Sequence, residues 1–326
     1  MTNQLSREKL QPIIEAVRNA AKLCRTVQET EIVASEKAGR EPVTIADYGS
    51  QAIICRAIQA NFPDDGIIAE ERGHHFLNEV TDEQRARVVG LVGDILGQPT
   101  SEDEIVGWLD HGRDRDTAQI WVIDPIDGTK GFLAQRSYTI AVGVLQDKQP
   151  VAGVMGSPGY ETADGLGRLF FAVNGEAYGQ DIGGGEASVV QVSSRSSAED
   201  FSVVESVESK HAAHEVMSEV YTKSGFPDPT VKRVDGQDKY AMIASGDADL
   251  YLRVSPTLGY KEKVWDHAAG VAIVSAAGGT VTDLNGNPLD FSLGEKLENN
   301  TFVVVSNGYA HDRIVENLQA IYNTSS

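Results

Sequence analysis

Residues 120–130 constrain the fold most. Ile120-Trp121-Val122-Ile123 is an apolar strand that delivers Asp124 at its end, and the chain continues Pro125-Ile126-Asp127-Gly128-Thr129-Lys130. Pro125 carries no backbone N–H, so it is expected to stop the ladder. Gly128-Thr129 is placed to open a helix. Two carboxylates fixed at one strand end suit a hard cation such as Mg²⁺, which takes oxygen ligands, and the Ile126 carbonyl adds another oxygen. Free amides at Gly128 and Thr129 would face an anion at a helix N-terminus. A Pro-Asp turn with a helix cap uses the same residues. The apolar strand before the motif and Gly-Thr after it favour the cation site.

Other carboxylates stand where such a site needs them. Gly66-Ile67-Ile68-Ala69 is a short buried strand, and Glu70-Glu71 closes it. Asp47 sits near the start of a helix expected at 45–60, with Thr44 as its N-cap and Asp47 in the position of a capping box. Asp266 follows Trp265 and is expected to open an alanine-rich helix over 266–277, ended by Gly278-Gly279.

The remaining pattern mixes layers. An amphipathic helix is expected over 6–28 with Ser6 as N-cap. Residues 72–117 are polar, hold a helical stretch at 79–97 and a break at 99–101, and read as an insertion. Segments 138–145 and 151–156 read as paired strands. Asn174-Gly175 joins two strands in the strongest hairpin signal of the chain. Gly183-Gly184-Gly185 marks a domain boundary, giving domains 1–183 and 184–326. Beyond it strands are expected at 201–206, 249–254 and 302–306, and helices at 211–224, 238–245, 266–277 and 311–322. Such alternation indicates α/β layering.

Charge and composition exclude several classes. With 28 Lys plus Arg against 48 Asp plus Glu, the net charge is −20. That opposes binding to a nucleic-acid backbone or to an anionic membrane. No apolar run reaches the length of a membrane span. Cys24 and Cys55 read as core residues of a reducing compartment, and the expected location is the cytoplasm. Between residues 232 and 263 six basic residues (Lys232, Arg233, Lys239, Arg253, Lys261, Lys263) outnumber five acidic ones, so an anionic group can dock there. His211 and His214 lack the spacing of a zinc pair, and 283–287 reads as a turn.

The motifs together resemble the lithium-sensitive, magnesium-dependent superfamily of inositol monophosphatases and fructose bisphosphatases. Asp124-Pro125-Ile126-Asp127-Gly128-Thr129 is similar to one of its signatures and Trp265-Asp266-His267-Ala268-Ala269-Gly270 to the other. Within it the chain resembles the 3′(2′),5′-bisphosphate nucleotidase branch, through Lys130, Pro42-Val43-Thr44, Phe62-Pro63-Asp64-Asp65, Val207-Glu208-Ser209 and 262–270. The resemblance implies a fold that is both α+β and α/β, a layered alternating α/β sandwich. It implies that Glu70, Asp124, the Ile126 carbonyl, Asp127 and Asp266 bind two or three Mg²⁺ ions, with Glu71 behind them. Asp47 and Thr129 would orient and deprotonate the attacking water. Gly128, Thr129, His211, Lys239, Arg253 and Asp266 would contact the substrate. Gly236 departs from the pattern, because relatives often carry Ser there.

The implied activity is hydrolysis of the 3′-phosphate of adenosine 3′,5′-bisphosphate, with its sulfated form as a second substrate. The implied partner is that small nucleotide; no oligomeric state is indicated. The alternatives are an inositol or sugar phosphatase and, in a different class, a non-catalytic nucleotide sensor. A sensor has no need of the water-activating pair that Asp47 and Thr129 would form.

Overall fold

The N-terminal helix follows from its spacing. In the computed structural model, which describes residues 5–32, 41–162, 165–207, 214–255 and 259–324, α1 spans Arg7–Val27 and Ser6 caps it by accepting from the Lys9 amide. Leu10, Ile13, Ile14, Val17, Ala20, Cys24 and Val27 form its buried stripe. This face packs on α2 (Glu41–Asn61) and on the first sheet.

The first sheet has seven strands in chain order: β1 (Gly66–Ala69), β2 (Gln119–Asp127), β3 (Thr139–Gln146), β4 (Gln149–Thr162), β5 (Gly165–Val173), β6 (Glu176–Asp181) and β7 (Ser188–Val189). β1 and β2 are parallel, and every later neighbour is antiparallel. Asn174 and Gly175 turn the β5–β6 hairpin with φ of 55° and 77°, which matches the Asn-Gly signal. The segment 72–117 folds as α3 (Gly73–Glu79), α4 (Asp82–Leu96) and α5 (Glu102–Leu109). Ser101, expected only as part of a break, caps α5 through a capping box with Glu104. Val88, Leu91, Val92, Ile105 and Leu109 of these helices belong to the first core.

The second sheet has the order β11 (Thr280–Thr282), β12 (Val303–Ser306), β10 (Leu250–Arg253), β8 (Ser202–Ser206) and β9 (Thr230–Val234). β10, β8 and β9 run parallel, whereas β12 is antiparallel to both its neighbours. β9 was not expected. Its exposed Thr-Val-Lys-Arg-Val pattern is that of an edge strand, and the sequence gives little apolar signal there.

Strand alternation builds five layers. Trp121, Ile123, Ile140 and Val142 face the N-terminal helices, while Ile120, Val122, Ala141 and Leu145 face the opposite way. The second set meets α8 (Asp238–Ala244), α9 (Ala268–Ala276) and one face of the second sheet, including Val204, Tyr251, Val303 and Val305. The other face of that sheet packs on α7 (His214–Lys223) and α10 (His311–Thr324) through Val203, Leu250, Val304, Met217 and Ile314. The result is a layered α/β sandwich with a shared middle core, as the resemblance implied. Cys24 and Cys55 are both buried and unpaired with one another. Among the described residues no helix is long and apolar enough to cross a membrane.

Three local expectations are corrected. Pro125 does not end β2: the strand runs on to Asp127 through a bulge, where a missing N–H costs no ladder bond. Thr44 does not cap α2, which starts at Glu41, so Asp47 lies inside the helix and needs no capping role. Asp266 does not open the alanine-rich helix. It ends a 3₁₀ turn over Val264–Asp266, and α9 begins at Ala268.

Candidate active site

The bulge in β2 decides where two carboxylates point. Residues three apart in a regular strand face opposite sides. Here Asp124 pairs with Ala141 and Asp127 with Thr139, so β2 holds one extra residue between them. That extra residue brings both carboxylates to one side. The Asp124 carboxylate accepts from the Ile126 amide at 3.1 Å, and the Ser50 hydroxyl of α2 donates to the Pro125 carbonyl at 3.1 Å. Both bonds hold the bulge in shape.

The parallel pairing of β1 and β2 adds the next group. Ala69 is opposite Ile123, so Glu70, the residue after β1, comes to lie beside Asp124 of β2. The C-terminal ends of parallel strands are where ligands bind in open α/β sheets. Gln51 of α2 fixes this end by donating to the Glu71 carbonyl at 2.8 Å and accepting from the Glu71 amide at 2.9 Å. Arg113 donates to the Ala69 carbonyl at 3.0 Å and also to the Glu71 carbonyl. Asp47, one helical turn before Gln51, thereby faces the Glu70-Glu71 corner.

Beyond the bulge, Gly128 adopts φ +93° and Thr129 starts the short helix α6 (Thr129–Leu133), with Thr129 exposed. Gly128 lies against Gly236, which has φ +64°. A Cβ on Gly236 would sit 2.4 Å from the Asp127 carbonyl oxygen, which explains the absence of the serine expected there. Lys239, one helical turn on, is buried, and its ammonium donates to the Gly236 carbonyl at 2.5 Å and to that of Val234 at 3.3 Å.

Asp266 arrives from the far side of the middle layer. Its lead-in is paired with another segment: the Val264 amide donates to the Glu295 carbonyl at 3.0 Å and the Leu297 amide to that of Glu262 at 2.9 Å. Arg253, at the end of β10, meets Glu262 with Nε and Nη2, each at 3.1 Å, and lies 3.9 Å from the Asp266 carboxylate. His267 is buried, with Nδ1 at 2.6 Å from the Tyr240 hydroxyl and Nε2 at 3.6 Å from Glu262.

The electrostatics show one shared field. Burial pushes the Asp124 carboxyl well above the usual range, and Glu70, Asp127, Asp266 and Asp47 push it further. Burial and then Asp127 raise Asp266, against Arg253. Burial, Glu71 and Asp127 lift Glu70 to about 7, with Lys263 opposing. Asp47 is raised by burial and by Glu71 and Glu70. Carboxylates that repel one another this strongly call for cations between them. The donor set is all oxygen, so it fits Mg²⁺ and not a soft metal. Lys239 is lowered to about 8 by burial, with Arg253 adding to the effect. Burial alone would raise Glu262, but His267 and Arg253 outweigh it and hold it at about 2.

Glu70, Asp124, Asp127, Asp266 and Asp47 are thus linked through the charge that each feels from others of the set, and Arg253 lies 3.9 Å from Asp266. His211 lies outside the described residues; His214 bonds Glu205 at 3.0 Å, apart from the carboxylate cluster. Gln51, Ser50, Arg113, Glu262 and His267 were not singled out from sequence. Glu262 and His267 do fall within the matched run 262–270, so proximity to Asp266 was their available signal.

The chain as a whole is similar to known proteins. The inositol monophosphatase family matches residues 6–322. A 3′(2′),5′-bisphosphate nucleotidase of Oryza sativa is 36% identical over 318 residues, spanning 90% of this chain and 88% of that protein. The 3′(2′),5′-bisphosphate nucleotidase 2 of Candida albicans is 32% identical over 337 residues, spanning 92% and 93%. Among solved structures, an inositol monophosphatase from Zymomonas mobilis superposes with a TM-score of 0.63 at 18% identity, over 97% of this chain and 100% of that one. One from Anabaena (Nostoc) sp. PCC 7120 gives 0.57 at 20% identity, over 98% and 97%. At such identities the structural likeness speaks to the fold alone.

Proposed function

The chain belongs to the inositol monophosphatase family, and from that premise we propose that it is a 3′(2′),5′-bisphosphate nucleotidase. It hydrolyses the 3′-phosphate of adenosine 3′,5′-bisphosphate to give AMP and phosphate, and 3′-phosphoadenylyl sulfate is a second substrate. The convergence of Glu70, Asp124, Asp127 and Asp266 on one mutually repelling cluster carries the catalytic part of this reading. The named relatives carry the substrate part.

The family is generally Mg²⁺-dependent. Glu70, Asp124, the Ile126 carbonyl, Asp127 and Asp266 would hold two or three ions, with Glu71 anchoring the corner behind them. Bound Mg²⁺ supplies Lewis-acid polarisation of the scissile phosphate and lowers the pKa of a bound water. Asp47 and Thr129 together orient and deprotonate the attacking water. Their placement, Asp47 facing Glu70 and Thr129 directly after the bulge, supports these roles. Gly128 and Thr129 contact the reacting phosphate. His211, Lys239 and Arg253 supply charge on the nucleotide side, Lys239 from behind the Val234–Gly236 backbone. In this division of labour residues 1–183 carry most metal ligands, and residues 184–326 carry Asp266 and the nucleotide contacts.

The deciding experiment measures phosphate release with Mg²⁺ from adenosine 3′,5′-bisphosphate, inositol 1-phosphate and fructose 1,6-bisphosphate, with and without millimolar lithium. Fast, lithium-sensitive release from the nucleotide alone is expected. Faster release from a sugar or inositol phosphate would overturn the substrate and keep the metal chemistry. No release from any of them would point to a nucleotide sensor.

A further inference from the structure

The ligand atoms of Glu262, Asp266 and His267 lie within 4.8 Å of one another, a grouping that invites a metal. The charge position is already taken. The Arg253 guanidinium touches both oxygens of Glu262 at 3.1 Å and approaches Asp266 only to 3.9 Å. Arg253 and Glu262 are both largely buried, so neither is screened by water. A buried guanidinium needs a carboxylate partner. Of the carboxylates paired with Arg253, the other is Asp266 at 3.9 Å.

We infer that Glu262 is a positioning residue that keeps Arg253 off Asp266 and so leaves the Asp266 carboxylate free to ligate a cation. This rests on the reading of Asp266 as a metal ligand. The bidentate geometry matters, because the planar fork of arginine is satisfied by one carboxylate in a fixed orientation. The surroundings hold Glu262 in turn. Its carbonyl accepts from the Leu297 amide, and one carboxylate oxygen faces His267 Nε2 at 3.6 Å. His267 is itself tied to the Tyr240 hydroxyl. That nitrogen is buried and has no closer polar partner. The arrangement therefore works through charge pairing: without Glu262, Arg253 closes on Asp266 and competes with the cation.

The competition gives a distinctive test by calorimetric Mn²⁺ binding to the full chain, with no substrate present. Asp266→Asn is measured first and should remove or weaken one binding event; unchanged binding would fault the metal assignment itself. Glu262→Gln keeps the shape of the side chain and should weaken that same event about tenfold, the scale of groups that support metal ligands. Arg253→Gln alone should bind Mn²⁺ at least as tightly as the unmodified chain. The double variant Glu262→Gln/Arg253→Gln should return to within about twofold of it. A double variant as weak as Glu262→Gln would overturn the inference, since a merely structural role predicts no rescue. So would a Glu262→Gln variant that binds Mn²⁺ normally. Should Glu262→Gln fail to fold, Glu262→Asp, which retains the charge but retreats from Arg253, should show a smaller loss with the same rescue by Arg253→Gln.

Discussion

Gln51 and Glu71 exchange two hydrogen bonds, side-chain amide to backbone carbonyl at 2.8 Å and backbone amide to side-chain carbonyl at 2.9 Å. One buried side chain thus replaces a strand partner at the point where β1 leaves the sheet, and ties the Glu70-Glu71 corner to the helix that carries Asp47. Gln51→Ala should cost about 2 kcal/mol of stability, near 1 for each bond. It should also raise the Mg²⁺ concentration needed for half-maximal activity by 10- to 100-fold, on the order seen when supports of metal ligands are removed. Mg²⁺ titration of activity checks this; an unchanged requirement would detach Gln51 from the site.

Asp124→Asn removes a buried charge from a cluster of like charges and keeps the volume of the side chain. The metal-free variant should melt at or above the temperature of the unmodified chain. Turnover should fall at least about a hundredfold, since supporting groups alone cost about 10- to 100-fold. Melting curves with a chelator, beside phosphate release at saturating Mg²⁺, test both halves. Activity within a few-fold of normal would end the assignment of Asp124 as a ligand.

Removing metal should destabilise the chain, and restoring it should stabilise with the logarithm of its concentration. A ligand that binds only the folded state adds about 2.7 kcal/mol at a hundredfold excess over its dissociation constant. Thermal unfolding at increasing Mg²⁺ should rise and follow this curve. In Asp124→Asn the rise should be largely lost.

Gly236→Ser should not behave as a harmless return to a common family residue. The new Cβ would meet the Asp127 carbonyl oxygen at 2.4 Å in a backbone already at φ +64°. The left-handed conformation alone costs about 1–2 kcal/mol for a residue with a Cβ. Chemical denaturation should show at least that loss. Activity should fall more steeply than stability, because Asp127 is displaced. Equal stability would mean that the backbone relaxes freely here.

His311 should govern part of the acid response. Its ring is buried between the Thr282 and Ser306 hydroxyls, each at 2.8 Å, and burial lowers its pKa below 6.5, with Asp312 opposing. The unfolded chain therefore takes up this proton near pH 6.5 while the folded chain does not. Stability contributed by the neutral ring is present above that pH and lost as pH falls below it, with a slope of up to about 1.4 kcal/mol per pH unit. Urea unfolding from pH 5 to 8 should show a steeper fall for the unmodified chain than for His311→Asn. Parallel curves would remove His311 from the acid response.

Much of this was legible locally. The stripe of α1, the Asn-Gly hairpin, the strands around Trp121 and Val303 and the order of the carboxylates all follow from periodicity and short motifs. β9 was not legible, because an exposed edge strand needs no apolar pattern. The start of α2 is hidden from the sequence, because Thr44 and Asp47 imitate a cap within a helix that begins a turn earlier.

By itself the sequence determined which oxygen-bearing residues exist and that Glu70 closes a short buried strand. Such facts depend on neighbours a few positions apart. Only the tertiary structure decided that β2 bulges at Pro125 and turns Asp124 and Asp127 to one side, that Gln51 holds Glu71, and that Arg253 forks onto Glu262 at 3.1 Å while it stands 3.9 Å from Asp266. A bulge is defined by the register of the strand beside it. Which carboxylate an arginine chooses depends on distances of tenths of an ångström that packing across the middle layer sets.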